Sequence, residues 1–206
     1  MRTDTRWGPW DPAPLPEVAR RFSVLHTPWW IAGGYAVELA VGHAFRDHAD
    51  IDVLLLRRDQ LTAQQVLAGW ESWAADPPGT LRPWLPGETL PPHVHDIWCR
   101  PGPGESWRVQ LMLDEADDDG HWVFRRDPRI RLPLDRLGRV SGDGVPYLVP
   151  QVQLLYKAKS RRPKDDQDFA TALPMLSADQ RAWLTETITL AYGADHPWAV
   201  RLRRQW

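Results

Sequence analysis

Residues 33–56 read GGYAVELAVGHAFRDHADIDVLLL, and this stretch decides how the rest of the chain is understood. It opens on a glycine pair that breaks the apolar run Trp29-Trp30-Ile31-Ala32. From Tyr35 to Val41 no breaker occurs and apolar residues recur on one helical face, so a helix is expected there, stopped by Gly42 as its C-cap. A polar link, HAFRDHAD, leads into Ile51-Asp52-Val53-Leu54-Leu55-Leu56, an apolar run of the kind that forms a buried strand. Asp50 and Asp52 stand at its entrance. Residues two apart on a strand point to the same face, about 6.6 Å apart along the backbone, so both carboxylates reach one metal centre. Mg²⁺ takes hard oxygen ligands, commonly one or two carboxylates plus substrate phosphates, and paired ions clamp attacking and leaving oxygens. Gly33 and Gly34, at the helix start, offer bare backbone N–H groups where the helix dipole favours phosphate.

Working outward, PEVARRFSV (16–24) suits a short amphipathic helix. Asp59 is placed to cap a helix running to about Ala75, with Leu61, Leu67, Trp70 and Ala74 at helical spacing. Segments 94–99 and 107–113 read as strands separated by the turn-rich RPGPGES, hence an antiparallel pair. Trp122-Val123-Phe124 suits an added edge strand, and 130–137 looks irregular. The last third is helical in pattern: 152–159, then 165–176 after Pro163, then 177–192, with Ser177 and Gln180 as a capping box and Gly193 as the stop. The expectation is an α+β chain, a small mixed sheet flanked by helices over residues 1–145, followed by a helical subdomain over 146–206.

Composition narrows the function. Twenty-five Lys and Arg against 27 Asp and Glu leave a net charge of −2, which gives no global field to gather a nucleic acid. The single cysteine, Cys99, rules out an intramolecular disulfide. No stretch has the length of a signal peptide's apolar segment, nor the roughly 20 apolar residues of a membrane span, so a cytoplasmic protein is expected. Thirteen Trp residues serve as packing material or as a stacking surface for a bound ring.

The glycine pair, the Arg46-x-His48-x-Asp50-Ile51-Asp52 segment and the following strand resemble the signature of the nucleotidyltransferase superfamily. The spacing is especially similar to small aminoglycoside and lincosamide nucleotidyltransferases. The match extends to YLVPQVQLLYKAKSRRPKDDQDF (147–169), where Lys157, Lys164, Asp165 and Asp168 resemble the family's C-terminal helix pair. The resemblance implies a nucleotidyltransferase fold and transfer of a nucleoside monophosphate from a nucleoside triphosphate, ATP above all, to a hydroxyl of a small acceptor. In that reading Asp50 and Asp52 are the catalytic pair and hold Mg²⁺. Gly33, Gly34, Arg46, His48, Lys157 and Lys164 bind the nucleotide, and the lysines neutralise the departing phosphates.

The family also implies a third carboxylate on a neighbouring strand, as metal ligand or general base. By period-two alternation in WRVQLMLDE (107–115) the matching residue is Gln110, which has no proton-accepting carboxylate. Asp114 lies four residues further along, roughly 13 Å away, and Asp96 sits on the preceding strand; neither occupies the expected position. His48 also reads as a polar loop histidine. His93, His95 and Cys99 lack a fourth ligand for zinc, and the acidic run 114–119 lacks the ligand spacing of a calcium loop. Two other readings stand beside the enzyme: a toxin–antitoxin type nucleotidyltransferase acting on protein or tRNA, and a nucleotide-binding module without turnover.

Overall fold

The structure is a computed structural model that describes residues 3–204. Its strands are β1 (Thr3–Thr5), β2 (Gly8–Trp10), β3 (Trp29–Ala32), β4 (Asp52–Leu56), β5 (Glu71–Ala74), β6 (Arg82–Pro83), β7 (Asp96–Arg100), β8 (Val109–Ala116), β9 (His121–Val123), β10 (Arg131–Pro133), β11 (Gly138–Val140) and β12 (Pro146–Leu148). The helices are α1 (Leu15–Phe22), α2 (Gly33–Val41), α3 (Gln60–Val66), α4 (Pro150–Ala158), α5 (Pro163–Ala172), α6 (Ala178–Tyr192) and α7 (Pro197–Arg203).

The main sheet runs β11-β12-β3-β4-β8-β7-β5-β6, with β9 and β10 attached at the far end of β8. It is mixed: β4 with β8 and β12 with β3 are parallel, and the other pairs are antiparallel. β4 lies near the centre, and Val53, Leu54, Leu55 and Leu56 are fully buried. That explains an apolar run without alternation, since a strand covered on both faces needs apolar residues at every position. Each such leucine contributes roughly 1.5–3 kcal/mol by leaving water.

Helix α2 buries Gly33, Gly34, Ala36 and Val37, one stripe at helical spacing, and Gly42 ends it in the left-handed conformation at φ 81°. Helix α4 is buried along its whole length, and it packs with α2, α5 and α6. The capping box of Ser177 and Gln180 opens α6 as expected. The antiparallel pair drawn from the sequence is β7 with β8.

Three expectations need correction. The helix after Asp59 stops at Val66, because the chain turns through Gly69 at φ +82° and then enters β5 beside β7. Segment 130–137, expected to be irregular, contributes β10. The helix expected from Tyr35 begins two residues earlier, with the glycine pair forming the first turn of α2. The N-terminal hairpin β1–β2 and the last helix α7 carried no periodic signal long enough to expect them.

Candidate active site

The register of β4 on β8 sets Asp52 directly opposite Gln110. The same row continues to Trp98 on β7 and Trp73 on β5, and on the other side to Ala32. Directly opposed residues share a face, so Asp52, Gln110, Trp98 and Trp73 form a line across one side of the sheet. One row along, Asp96 opposes Met112, and Gln110 Nε2 donates to Asp96 Oδ1 at 3.2 Å. Asp50 lies just before β4 rather than within it.

The glycine pair is fitted to this strand. Gly33 has φ +67°, and a β-carbon there would lie 2.0 Å from Asp52 Oδ2. A β-carbon on Gly34 would lie 2.1 Å from Arg46 Nη2 and 2.5 Å from His48 Nδ1. Only residues without a side chain let α2 start this close to the aspartates. The Gly33 N–H donates to Gln153 Oε1 at 2.8 Å, so one of the two expected phosphate-facing donors is already engaged.

Asp52 is the electrostatic centre. Desolvation of its carboxylate, followed by the like charge of Asp50, pushes its pKa up to about 7; Asp96 adds to the rise, and Lys157 and Lys164 oppose it. Among the described residues no cationic side chain pairs with Asp50 or Asp52, while the nearby cations Arg46, Lys157 and Arg162 pair elsewhere. No group of three or more His, Cys, Asp or Glu side chains among the described residues is placed to hold an ion alone. Two crowded carboxylates without a cation partner suit a divalent ion whose coordination is completed by substrate phosphate oxygens.

Around the pair runs a chain of ions. Arg46 Nε and Nη2 grip the two oxygens of Asp168 at 2.5 and 2.9 Å, and Lys157 Nζ lies 2.9 Å from Asp168 Oδ2 and 3.1 Å from Asp165 Oδ1. Arg162 Nε closes the series on Asp165 Oδ2 at 2.7 Å. Burial works against the Asp165 carboxylate, but the hydrogen bonds from Arg162 and Lys157 outweigh it and hold its pKa down at about 2. Arg46 and Lys157 are thus engaged by buried carboxylates. Lys164, half-buried, makes no ion pair among the described residues. His48 is buried, its Nε2 sits 2.7 Å from Glu38 Oε2, and its ring lies over Tyr35 at 4.1 Å. Burial, then the Arg46 charge, lowers its pKa against the pull of Glu38.

The remaining candidates lie apart from this centre. Asp114 is wholly buried and accepts from Trp122 Nε1 at 2.7 Å and Tyr156 Oη at 2.5 Å. His93 pairs with Asp76, His95 contacts the Leu113 carbonyl, and burial pushes the Cys99 thiol up to about 12. Asp117, in the acidic run, accepts from the His121 backbone and pairs with Arg131. Sequence reasoning missed Gln153, although its i,i+4 spacing to Lys157 on α4 places both on one helix face.

The family model for aminoglycoside-2''-adenylyltransferase matches residues 14–72, which include Gly33, Gly34, Asp50 and Asp52. The structure of the lincosamide antibiotic adenylyltransferase LnuA, lincomycin-bound, superposes with a TM-score of 0.55 at 16% identity, covering 81% of this chain and 100% of that one. ANT(2")-Ia in complex with adenylyl-2"-tobramycin gives 0.54 at 13% identity, covering 85% and 95%. A solution structure of ANT(2'')-Ia gives 0.55 at 16% identity, covering 87% and 91%. No curated protein matches the chain by sequence. These likenesses establish the nucleotidyltransferase fold, and the chain resembles antibiotic adenylyltransferases, in keeping with the motif at residues 33–52.

Proposed function

We propose that this chain is a Mg²⁺-dependent nucleotidyltransferase that moves a nucleoside monophosphate from a nucleoside triphosphate, ATP, to a hydroxyl of a small acceptor of the aminoglycoside or lincosamide kind. The observation that carries the reading is Asp52. Its desolvated carboxylate is held against Gly33 beside Asp50, and among the described residues no cation forms an ion pair with it. Such an arrangement is costly unless positive charge arrives with a ligand.

In this reading residues 1–145 carry Asp50 and Asp52, and residues 146–206 carry Lys157 and Lys164. Asp50 and Asp52 hold the metal, which supplies charge neutralisation to the phosphoryl oxygens when bound. The Gly34 end of α2 faces the phosphate chain, while Gly33 is tethered to Gln153. Lys164, which makes no ion pair among the described residues, meets the departing phosphates. Arg46 and Lys157 act through Asp168, holding the segment that bears His48 and Asp50 against α5. His48 braces that segment against Glu38 and Tyr35 beneath Gly34.

The test is calorimetric binding of ATP with and without Mg²⁺, on wild type and on the Asp50→Asn, Asp52→Asn double variant, alongside pyrophosphate release with tobramycin and lincomycin as acceptors. Metal-dependent binding that the double variant loses, with acceptor-stimulated pyrophosphate release, is the expected outcome. Wild type that binds no nucleotide would refute the reading. A second reading, binding without turnover, is favoured by one observation, the Gln110 amide opposite Asp52. Binding without pyrophosphate release would select it.

A further inference from the structure

Nucleotidyl transfer to a hydroxyl needs somewhere for the hydroxyl proton to go, and Gln110 offers none. The residue that touches Gln110 does. Asp96 projects from the same face of the sheet, is half-buried, and makes no ion pair among the described residues. Among the described residues its carboxylate accepts one hydrogen bond, from Gln110 Nε2 at 3.2 Å. An ionised carboxylate only accepts, so the amide must turn its N–H₂ toward Asp96. That contact holds one carboxylate oxygen and leaves the other without a partner among the described residues.

Resting on the transferase reading above, we propose that Asp96 is the proton acceptor of this site, its carboxylate displaced by one strand from the position that Gln110 occupies. The spacing suits the task. β4 and β7 are separated by β8 alone, and Asp96 lies two residues along from Trp98, the β7 residue in the row of Asp52, so the two aspartate backbones stand about 12 Å apart, two strand spacings across and two residues along. That is too far for Asp52 and Asp96 to share one ion and leaves room for the α-phosphorus and an acceptor hydroxyl between them. That the charge of Asp96 is felt at Asp52 agrees with both lying on one face of the sheet.

The step balances. The acceptor oxygen forms a bond to the α-phosphorus, the bond from that phosphorus to the β-phosphate oxygen breaks, and pyrophosphate leaves with the electron pair. The acceptor's proton passes to Asp96. Gln110 orients the acceptor of that proton and donates nothing that is consumed.

The experiment compares wild type, Asp96→Asn, Gln110→Asp and the exchange variant Asp96→Asn with Gln110→Asp. Pyrophosphate release from Mg²⁺-ATP is followed with tobramycin, lincomycin or water as acceptor. Binding of α,β-methylene-ATP is measured by calorimetry, and melting by circular dichroism confirms folding. Asp96→Asn should lose about 10²–10⁴-fold in kcat, the usual share of a general base, with analogue affinity within about threefold of wild type. The exchange variant should recover at least about tenfold of that loss, as the carboxylate returns beside Asp52. Asp96→Asn turning over within about threefold of wild type overturns the proposal. So does an analogue affinity that falls in step with turnover, or an exchange variant that folds and recovers nothing. No release from wild type itself would instead overturn the transferase reading, and this proposal with it.

Discussion

A β-carbon on Gly33 would lie 2.0 Å from Oδ2 of Asp52, so the start of α2 and the start of β4 can approach only because residue 33 has no side chain. The backbone there also has φ +67°. Gly33→Ala therefore suffers both a steric clash and an unfavourable conformation. The expected cost is on the order of 2–4 kcal/mol in urea unfolding, with Mg²⁺-ATP binding lost because Asp52 must move. A Gly33→Ala protein with wild-type stability and binding would contradict the close approach.

Asp52 places a pH-dependent cost on the unliganded protein. The unfolded carboxyl ionises above its ordinary 3.8 and the folded one only near 7. The folded state therefore binds more protons between those values, and stability falls as pH rises through that window. Asp52→Asn should be more stable than wild type at pH 8, by on the order of 4 kcal/mol, with the gain vanishing near pH 4. Urea unfolding at both pH values measures it; a variant less stable than wild type at pH 8 would refute it.

Asp165 behaves in the opposite sense. Its folded carboxyl titrates at about 2, below its ordinary 3.8. The stabilisation is present above that ordinary value and is lost as pH falls toward 2. The stability difference between wild type and Asp165→Asn should hold steady above pH 4 and shrink by about 2 kcal/mol on acidification. A gap that is flat from pH 5 to pH 2 would show that the carboxylate is not held by Arg162 and Lys157.

The two lysines should separate by phenotype. Lys157→Ala leaves Asp165 and Asp168 with a buried partner missing, a loss of about 3–5 kcal/mol. Lys164→Ala should leave stability within about 0.5 kcal/mol while weakening Mg²⁺-ATP about two- to fivefold, as expected for one screened charge near phosphate. Melting temperature and calorimetry on both variants decide it. Equal destabilisation of the two would remove the distinction.

The stretch 33–56 carried most of the fold because its signals are local: two glycines, a helical stripe, a breaker and an apolar run without alternation. The family resemblance, together with period two, matched Gln110 to the third-acid position, and the register sets that residue opposite Asp52. What stayed hidden depends on partners distant in the chain. Nothing around Lys157 shows that it faces two carboxylates from the following helix, and nothing around Gln153 shows that it accepts from Gly33. The strand at 71–74 was obscured because Trp70 and Ala74 fit a helical stripe as well as a pleat, and Gly69 alone marked the break. Asp96 was visible as an acid on the right strand, but only the hydrogen bond from Gln110 ties it to the site.

The tie between Arg46 and Asp168 spans 122 residues, and that between Gly33 and Gln153 spans 120. Contacts so distant in sequence carry the largest loop-closure entropy and form after local ones. During synthesis the glycine turn and both aspartates leave the ribosome long before α4 and α5 exist to brace them. The sheet has time to assemble first, and the proposed nucleotide site closes only when nearly the whole chain is free. Acquisition of Mg²⁺-ATP affinity during refolding should accordingly trail the appearance of sheet structure, marking the final docking of the two halves.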